Sequence, residues 1–305
     1  MSGTQDVFAA GRPVTGDGRW RPSRRGPLRG AELTWAIAFS APYAAVFFAF
    51  AVYPIAYGFW MGREPSLYAE LVSDPRYIRT VINTVLYVGV GVNLKMFLAL
   101  LLSGFFMRRR WWIRALLVIY LLPWALPAVP AFLSFHWMLI GEQGFLDSVL
   151  QALFSIDGPI WFNHRGLALG SNIIAYIWKW LPFWTVIFLA GRMAIPREIY
   201  EAADVDGATG ARRFVHVTFP LLASLYLVCT LLSTVWTLGD FTGVYFVSGG
   251  APAMSTDVLA TLGIRYALDF AQPQLGVAAM LSALPVLIPV VIVLMRKVHT
   301  TEVQL

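Results

Sequence analysis

The chain has 305 residues, 58% of them apolar and only 13% charged, against about 45–50% and 25% in a typical soluble domain. This excludes an ordinary soluble enzyme and leaves room for roughly six membrane-crossing helices of about 20 residues, with no second sizeable domain. The net charge of +6 comes mainly from Arg scattered through loops rather than gathered on one face, which fits membrane orientation better than nucleic-acid binding.

Residues 1–33 carry six Arg and three Pro with no sustained apolar run, so a disordered basic tail is expected. Residues 34–60 follow without a charge. The run is too long for a signal-peptide core of about 7–15 residues and reads as the first span. A second span, about 80–107, is interrupted only by Asn83, Asn93 and Lys95, and Arg108-Arg109-Arg110 beside Trp111 and Trp112 anchors its end. The third, about 115–140, holds Pro123, Pro127 and Pro130. Prolines at this density kink a helix and free carbonyls that a neighbouring helix or a wet cavity must satisfy. A bend beside a translocation path and a purely structural kink both fit. A mixed external loop with Asp157, His164 and Arg165 leads to a fourth span, 172–190, which carries Trp178-Lys179-Trp180 and Trp184.

Residues 195–222 then break the apolar pattern. Pro196 suits the first position of a helix, because it has no N–H to lose there. Ile199, Ala202 and Ala203 fall at helical spacing, and Gly207 is a natural stop. Arg212 and Arg213 restart the chain, and Phe219-Pro220 closes the segment. The pattern is helix, glycine bend, helix, with Ala202 and Ala203 small enough to let another backbone approach. Glu201-Ala202-Ala203, then Asp206-Gly207-Ala208, then Phe219-Pro220 resembles the coupling loop of ABC importer permeases. The lead-in Ile195-Pro196 and Glu198-Ile199-Tyr200 resembles the sugar-importing branch, typified by the maltose and glycerol-phosphate permeases. Tyr53-Pro54 and Ser248-Gly249-Gly250-Ala251-Pro252 are similar to that branch too.

The fifth span, from Leu221 to about Phe246, is the most polar, with Thr230, Ser233, Thr234, Thr237, Asp240 and Thr242. The sixth, about 275–295, ends at Arg296-Lys297, and 298–305 reads as a short tail. With both termini inside, sixteen Lys and Arg fall on the cytoplasmic side, five outside and two within spans. The positive-inside bias therefore sets this orientation and puts Glu201 where an ATPase would be. The three Lys are followed by Met96, Trp180 and Val298, so no phosphate-cradling G-x-x-x-x-G-K-[ST] loop is present. His136, His164, His216 and His299 are dispersed, and catalytic or metal-binding residues are not expected. Cys229 reads as packing.

Sugars present apolar C–H faces and hydroxyl rims, so their sites combine aromatic rings with hydrogen-bonding side chains. Trp180, Trp184, Ser233, Trp236, Thr237 and Asp240 are the expected pathway, although tryptophans also serve packing and interfaces. Charges inside a span are costly unless paired or wetted. Lys179 and Asp240 are expected to pair across spans four and five, the alternative being that each reaches water alone. Asn93 and Lys95 are weaker candidates. The resemblance, covering about 34–297, implies an all-α, six-helix permease of type I ABC importer architecture in a bacterial inner membrane. It implies coupling through Glu201, Ala202, Ala203, Asp206, Gly207 and Pro220, and cargo that is a carbohydrate or polyol. The implied partners are a second permease, two ATPases that bind ATP and Mg, and a periplasmic binding protein. Permeases for other solutes and an independent secondary transporter are the rivals; the latter would show an internal repeat, which is not found.

Overall fold

The computed structural model describes residues 30–108, 110–141 and 144–302. Most of the expected N-terminal tail, residues 1–29, lies outside them. All regular structure among the described residues is helical. The chain divides into two compact units, one ending at Tyr57 and one beginning at Gly58.

In the first unit, α1 (Gly30–Phe47) passes through a π-helical turn (Phe48–Val52) into α2 (Tyr53–Met61), which ends in the second unit. Pro54 follows the π turn because it lacks the N–H that would continue the ladder there. Phe39 and Phe50 are exposed, as suits side chains in a bilayer.

The second unit opens with α3 (Pro65–Ser73) and the 32-residue α4 (Pro75–Phe106). The Asp74 carboxylate caps α4 by accepting from the Arg76 backbone N–H at 2.8 Å. Next come α5 (Trp111–Ala125) and α6 (Ala128–Leu139), which meet at 96°. The bend expected in the third span is therefore a full break between two helices. Pro127 and Pro130 cannot donate to the carbonyls of Pro123 and Leu126 four residues back, so the ladder opens and the chain turns.

The expected external loop contains α7 (Phe145–Phe154) and a 3₁₀ turn (Trp161–Asn163), and α8 (Arg165–Met193) already begins at Arg165. α9 (Arg197–Val205) and α10 (Gly210–Arg213) follow, and a second π turn (Phe214–Thr218) runs into α11 (Phe219–Gly239). Pro196 stands at the N-cap, one residue before its expected place. α11 stops at Gly239, so the fifth span ends earlier than its hydropathy suggests and Asp240 lies at its end rather than within it. The chain continues through α12 (Thr242–Val247), α13 (Leu259–Ile264), α14 (Pro273–Leu281) and α15 (Leu284–Glu302). Helix thus extends well past the expected start of the C-terminal tail. Five helical runs are long and apolar enough to cross a membrane, or six if the bent α5–α6 pair counts as one.

α4 and α8 pack along each other and α11 lies against both. Their shared core joins Val92, Met96, Ala99 and Leu100 to Trp184, Phe188, Leu222 and Cys229. The polar segment between α12 and α13 is stitched to this frame. Asn83 donates to the carbonyls of Ser255 and Asp257, both at 2.8 Å, and Arg165 donates to Asn83 Oδ1 at 2.7 Å. Gly250 has φ +77°, and a Cβ there would overlap the Asp257 carboxylate, so only glycine fits.

Candidate functional site

Trp180 and Trp184 lie four residues apart on α8. Ser233, Trp236 and Thr237 fall at i, i+3 and i+4 on α11 and Asp240, at its C-cap, at i+7, so each set shares one side. The structure brings all six expected residues to one cavity of about 170 Å³. Tyr176, a further turn along α8, and Lys95 from α4 complete its wall. Lys95, the weaker candidate in sequence, is therefore central, whereas Asn93 bonds to the carbonyl of Gly89 in its own helix. The signal for Tyr176 was its place four residues before Trp180.

Lys95 is 1% exposed. Its Nζ donates to Tyr176 Oη and, at 2.7 Å, to Ser233 Oγ. It also lies 4.3 Å from the Tyr176 ring centroid and 5.6 Å from that of Trp184. Thr237 Oγ1 spends its one hydrogen on the Ser233 carbonyl at 2.6 Å, so Tyr176 must donate to Thr237. A directed chain results, from Lys95 through Tyr176 and Thr237 to the backbone of Ser233. Trp236, 52% exposed, packs against Trp184 at 5.8 Å between centroids. It keeps a free ring surface beside the cavity.

The expected Lys179–Asp240 pair does not form. Lys179, buried on α8, donates to the carbonyls of Pro123 at 2.7 Å, Trp124 at 3.2 Å and Leu126. These are the acceptors exposed where α5 ends, and a cation there also suits the negative end of the helix dipole. Asp240 instead accepts from the Thr242 backbone N–H at 2.9 Å and from the Thr242 hydroxyl. That local turn fixes the end of α11.

The segment 195–222 forms the expected helix, bend and helix, although the second helix continues into α11. α9 ends in a Schellman motif: Ala208 N–H donates to Ala203 O at 2.8 Å and Gly207 N–H to Asp204 O at 3.1 Å. Gly207 sits at φ +70°, the left-handed conformation that closes the motif. Among the residues of α9 only Ala203 is buried; Glu198, Ile199, Glu201, Ala202 and Val205 are exposed. Asp206 is exposed at the C-cap, and Ala202, Ala203 and Asp206 line one side of an open hollow of about 460 Å³, with Arg212 and His216 opposite. Pro220 follows the π turn, at whose end Phe219 N–H bonds Phe214 O.

Sequence reasoning missed Arg192. Its guanidinium donates to Ser103 Oγ at 2.7 Å and to Leu100 O at 2.9 Å on α4, and lies 5.5 Å from the Phe214 ring. Ile195 and Phe214, at the two ends of the loop, pack against the core cluster that contains Trp184. The loop and the cavity wall thus share one packed body.

Residues 95–299 match the family described as binding-protein-dependent transport system inner membrane component. The sulfoquinovosyl glycerol transport system permease protein SmoG of Agrobacterium fabrum is 38% identical over 196 residues, 63% of this chain and 62% of its own length. The trehalose/maltose transport system permease protein MalF of Thermococcus litoralis is 28% identical over 238 residues, 74% of this chain and 80% of its own. A chain from the crystal structure of a bacterial alginate ABC transporter, in complex with an alginate pentasaccharide-bound periplasmic protein, superposes with a TM-score of 0.77. That likeness covers 86% of this chain and 93% of the other at 20% identity, and it is one of fold.

Proposed function

The chain belongs to the family of binding-protein-dependent transport system inner membrane components, and from that premise we propose that it is the permease subunit of an ATP-driven carbohydrate or polyol importer. The observation that carries this reading is the cavity between α4, α8 and α11. Trp180, Trp184 and Trp236 offer rings to sugar C–H faces, and Ser233, Thr237 and Asp240 offer partners for hydroxyls. Relatives named for sulfoquinovosyl glycerol and for trehalose/maltose support the same class of cargo. At about 170 Å³ the cavity is smaller than the roughly 300–1,000 Å³ of small-molecule pockets, so a second, related permease would supply the facing wall.

Energy comes from outside the chain, which is a non-catalytic transport component. Two ATPase subunits would bind ATP and Mg²⁺ and receive α9, whose exposed Ile199, Glu201, Ala202 and Val205 otherwise have little to pack against. The bias of Lys and Arg supports a reading in which that loop and both termini are on the cytoplasmic side of a bacterial inner membrane, with a periplasmic binding protein delivering cargo opposite. Closure of the ATPases would pull α9. Through Ile195, Arg192 and Phe214 the movement would reach the core containing Trp184, as a rigid-body switch between inward and outward access.

The test is ATP-dependent uptake of labelled saccharides into liposomes holding the whole complex. Trp236→Ala should cut uptake of an accepted sugar by up to about tenfold, the scale of one lost aromatic contact, while ATPase association is kept. Unchanged uptake would remove the cavity from the cargo path.

A further inference from the structure

The cavity is electrically polarised along its length. At one end the Lys95 ammonium is buried inside a span, where an uncompensated charge is costly. None of the four ion pairs found among the described residues includes it. Two of its three N–H donors are taken, by Tyr176 and Ser233, and both acceptors are neutral hydroxyls. The aromatic faces of Tyr176 and Trp184 stabilise a cation without neutralising it. At the other end stands Asp240, just past the end of α11, seven residues beyond Ser233 and so roughly 10 Å farther along the helix axis. Its carboxylate is held by Thr242 rather than by Lys95. A neutral ligand would leave the ammonium with no anion hydrogen-bonded to it, Asp240 acting on it only across the cavity. An anionic group at that end would accept its remaining donor and complete an ion pair screened from bulk water, while hydroxyls at the far end would donate to Asp240.

We propose that Lys95 makes this a site for acidic carbohydrates, its ammonium binding a carboxylate, sulfonate or phosphate substituent of the cargo. The proposal rests on the reading of the cavity as the cargo path. Two local features set the selectivity. Tyr176 and Ser233 hold the ammonium in one position, and the directed chain to Thr237 keeps the Tyr176 oxygen as an acceptor toward Lys95, so the third donor is left for a group that enters the cavity Lys95 lines.

Three tryptophans line the cavity, so binding can be read as quenching of intrinsic fluorescence in the purified complex, in phosphate-free buffer and without the binding protein. The probes are glucose against glucuronate and glucose 6-phosphate, and glycerol against glycerol 3-phosphate. The anionic members should bind about tenfold or more tightly than their neutral counterparts, the scale of one charge-assisted hydrogen bond. Lys95→Gln should bring the ratio close to one, and Lys95→Arg should preserve it. Tyr176→Phe removes a support of the ammonium without removing its charge, and it should weaken all binding while keeping the preference for anions. If neutral and anionic members bind alike, or if Lys95→Gln keeps the ratio, the anionic assignment falls while the carbohydrate reading stands. If no probe of either kind quenches the fluorescence, the cavity is not a saccharide site and both readings fall.

Discussion

At the scale of single residues, Lys179 shows how a correct identification can carry a wrong partner. Its charge within an apolar run was plain in the sequence, as was Asp240, and the two sit at compatible depths. The sequence also displayed the prolines that free carbonyls. What it could not display was that the carbonyls of Pro123 and Leu126, deprived of donors by Pro127 and Pro130, come to lie beside Lys179 once the chain turns by 96°. An ammonium with three N–H groups then finds three acceptors without a carboxylate. Lys179→Met should strand those carbonyls in a buried site, at about 1–3 kcal/mol for each left unsatisfied, and lower the unfolding temperature of the detergent-solubilised protein. Asp240→Asn should act independently. A double-mutant cycle should return a coupling within about 0.5 kcal/mol of zero, and a coupling well above that would restore the ion pair. Lys95 is the converse case. Nothing in the sequence separated it from a helix-to-helix contact, because its partners Tyr176 and Ser233 lie 81 and 138 residues away.

At the scale of elements, the loop at 195–222 was the most legible part of the chain, since its signals are local. Pro196 and Gly207 act through their own backbones, and the helix they bound was readable to within one residue. The continuity of the second helix with α11 was not, because it depends on a π turn between them. The ion pair of Arg213 with Asp204 at 2.7 Å is half-exposed and adds little by itself. The bend rests on Gly207. Proline cannot adopt its φ of +70°, so Gly207→Pro should displace Ala208 and open the hollow beside Ala202 and Asp206. Uptake should fall at least about tenfold and ATPase co-purification should weaken, while saccharide quenching at the cavity persists; tenfold corresponds to about 1.4 kcal/mol of lost coupling. Robust uptake by this variant would separate the loop from energy transfer.

At the scale of the whole molecule, hydropathy counted the crossings well because a bilayer demands long apolar runs, but it did not show where helices break. The stretch after Gly239 looked like the end of a span and a loop; it folds instead into α12 and α13 and is tied to α4 through Asn83. The same face of the molecule is closed by Asp74, where long-range contacts meet an N-cap. Arg76 donates to it through Nε at 3.0 Å and through Nη2 at 2.7 Å, and Tyr266 donates from the far side. The Arg76 hydrogen bonds, aided by the one from Tyr266, hold the Asp74 carboxyl down from 3.8 to about 2, against the opposing effect of burial. A depressed folded-state value means that the ionised form stabilises the fold. Its contribution is complete above about pH 4 and disappears as the pH falls through about 2. Asp74→Asn should therefore lower the unfolding temperature by the same margin at pH 7 and pH 5. The gap between variant and parent should begin to narrow near pH 4 and close as the pH falls through about 2. A gap that instead narrows as the pH rises above 5 would show that Asp74 stabilises the fold through packing or through its protonated form, and the link it provides between α4 and Tyr266 would have to be sought elsewhere.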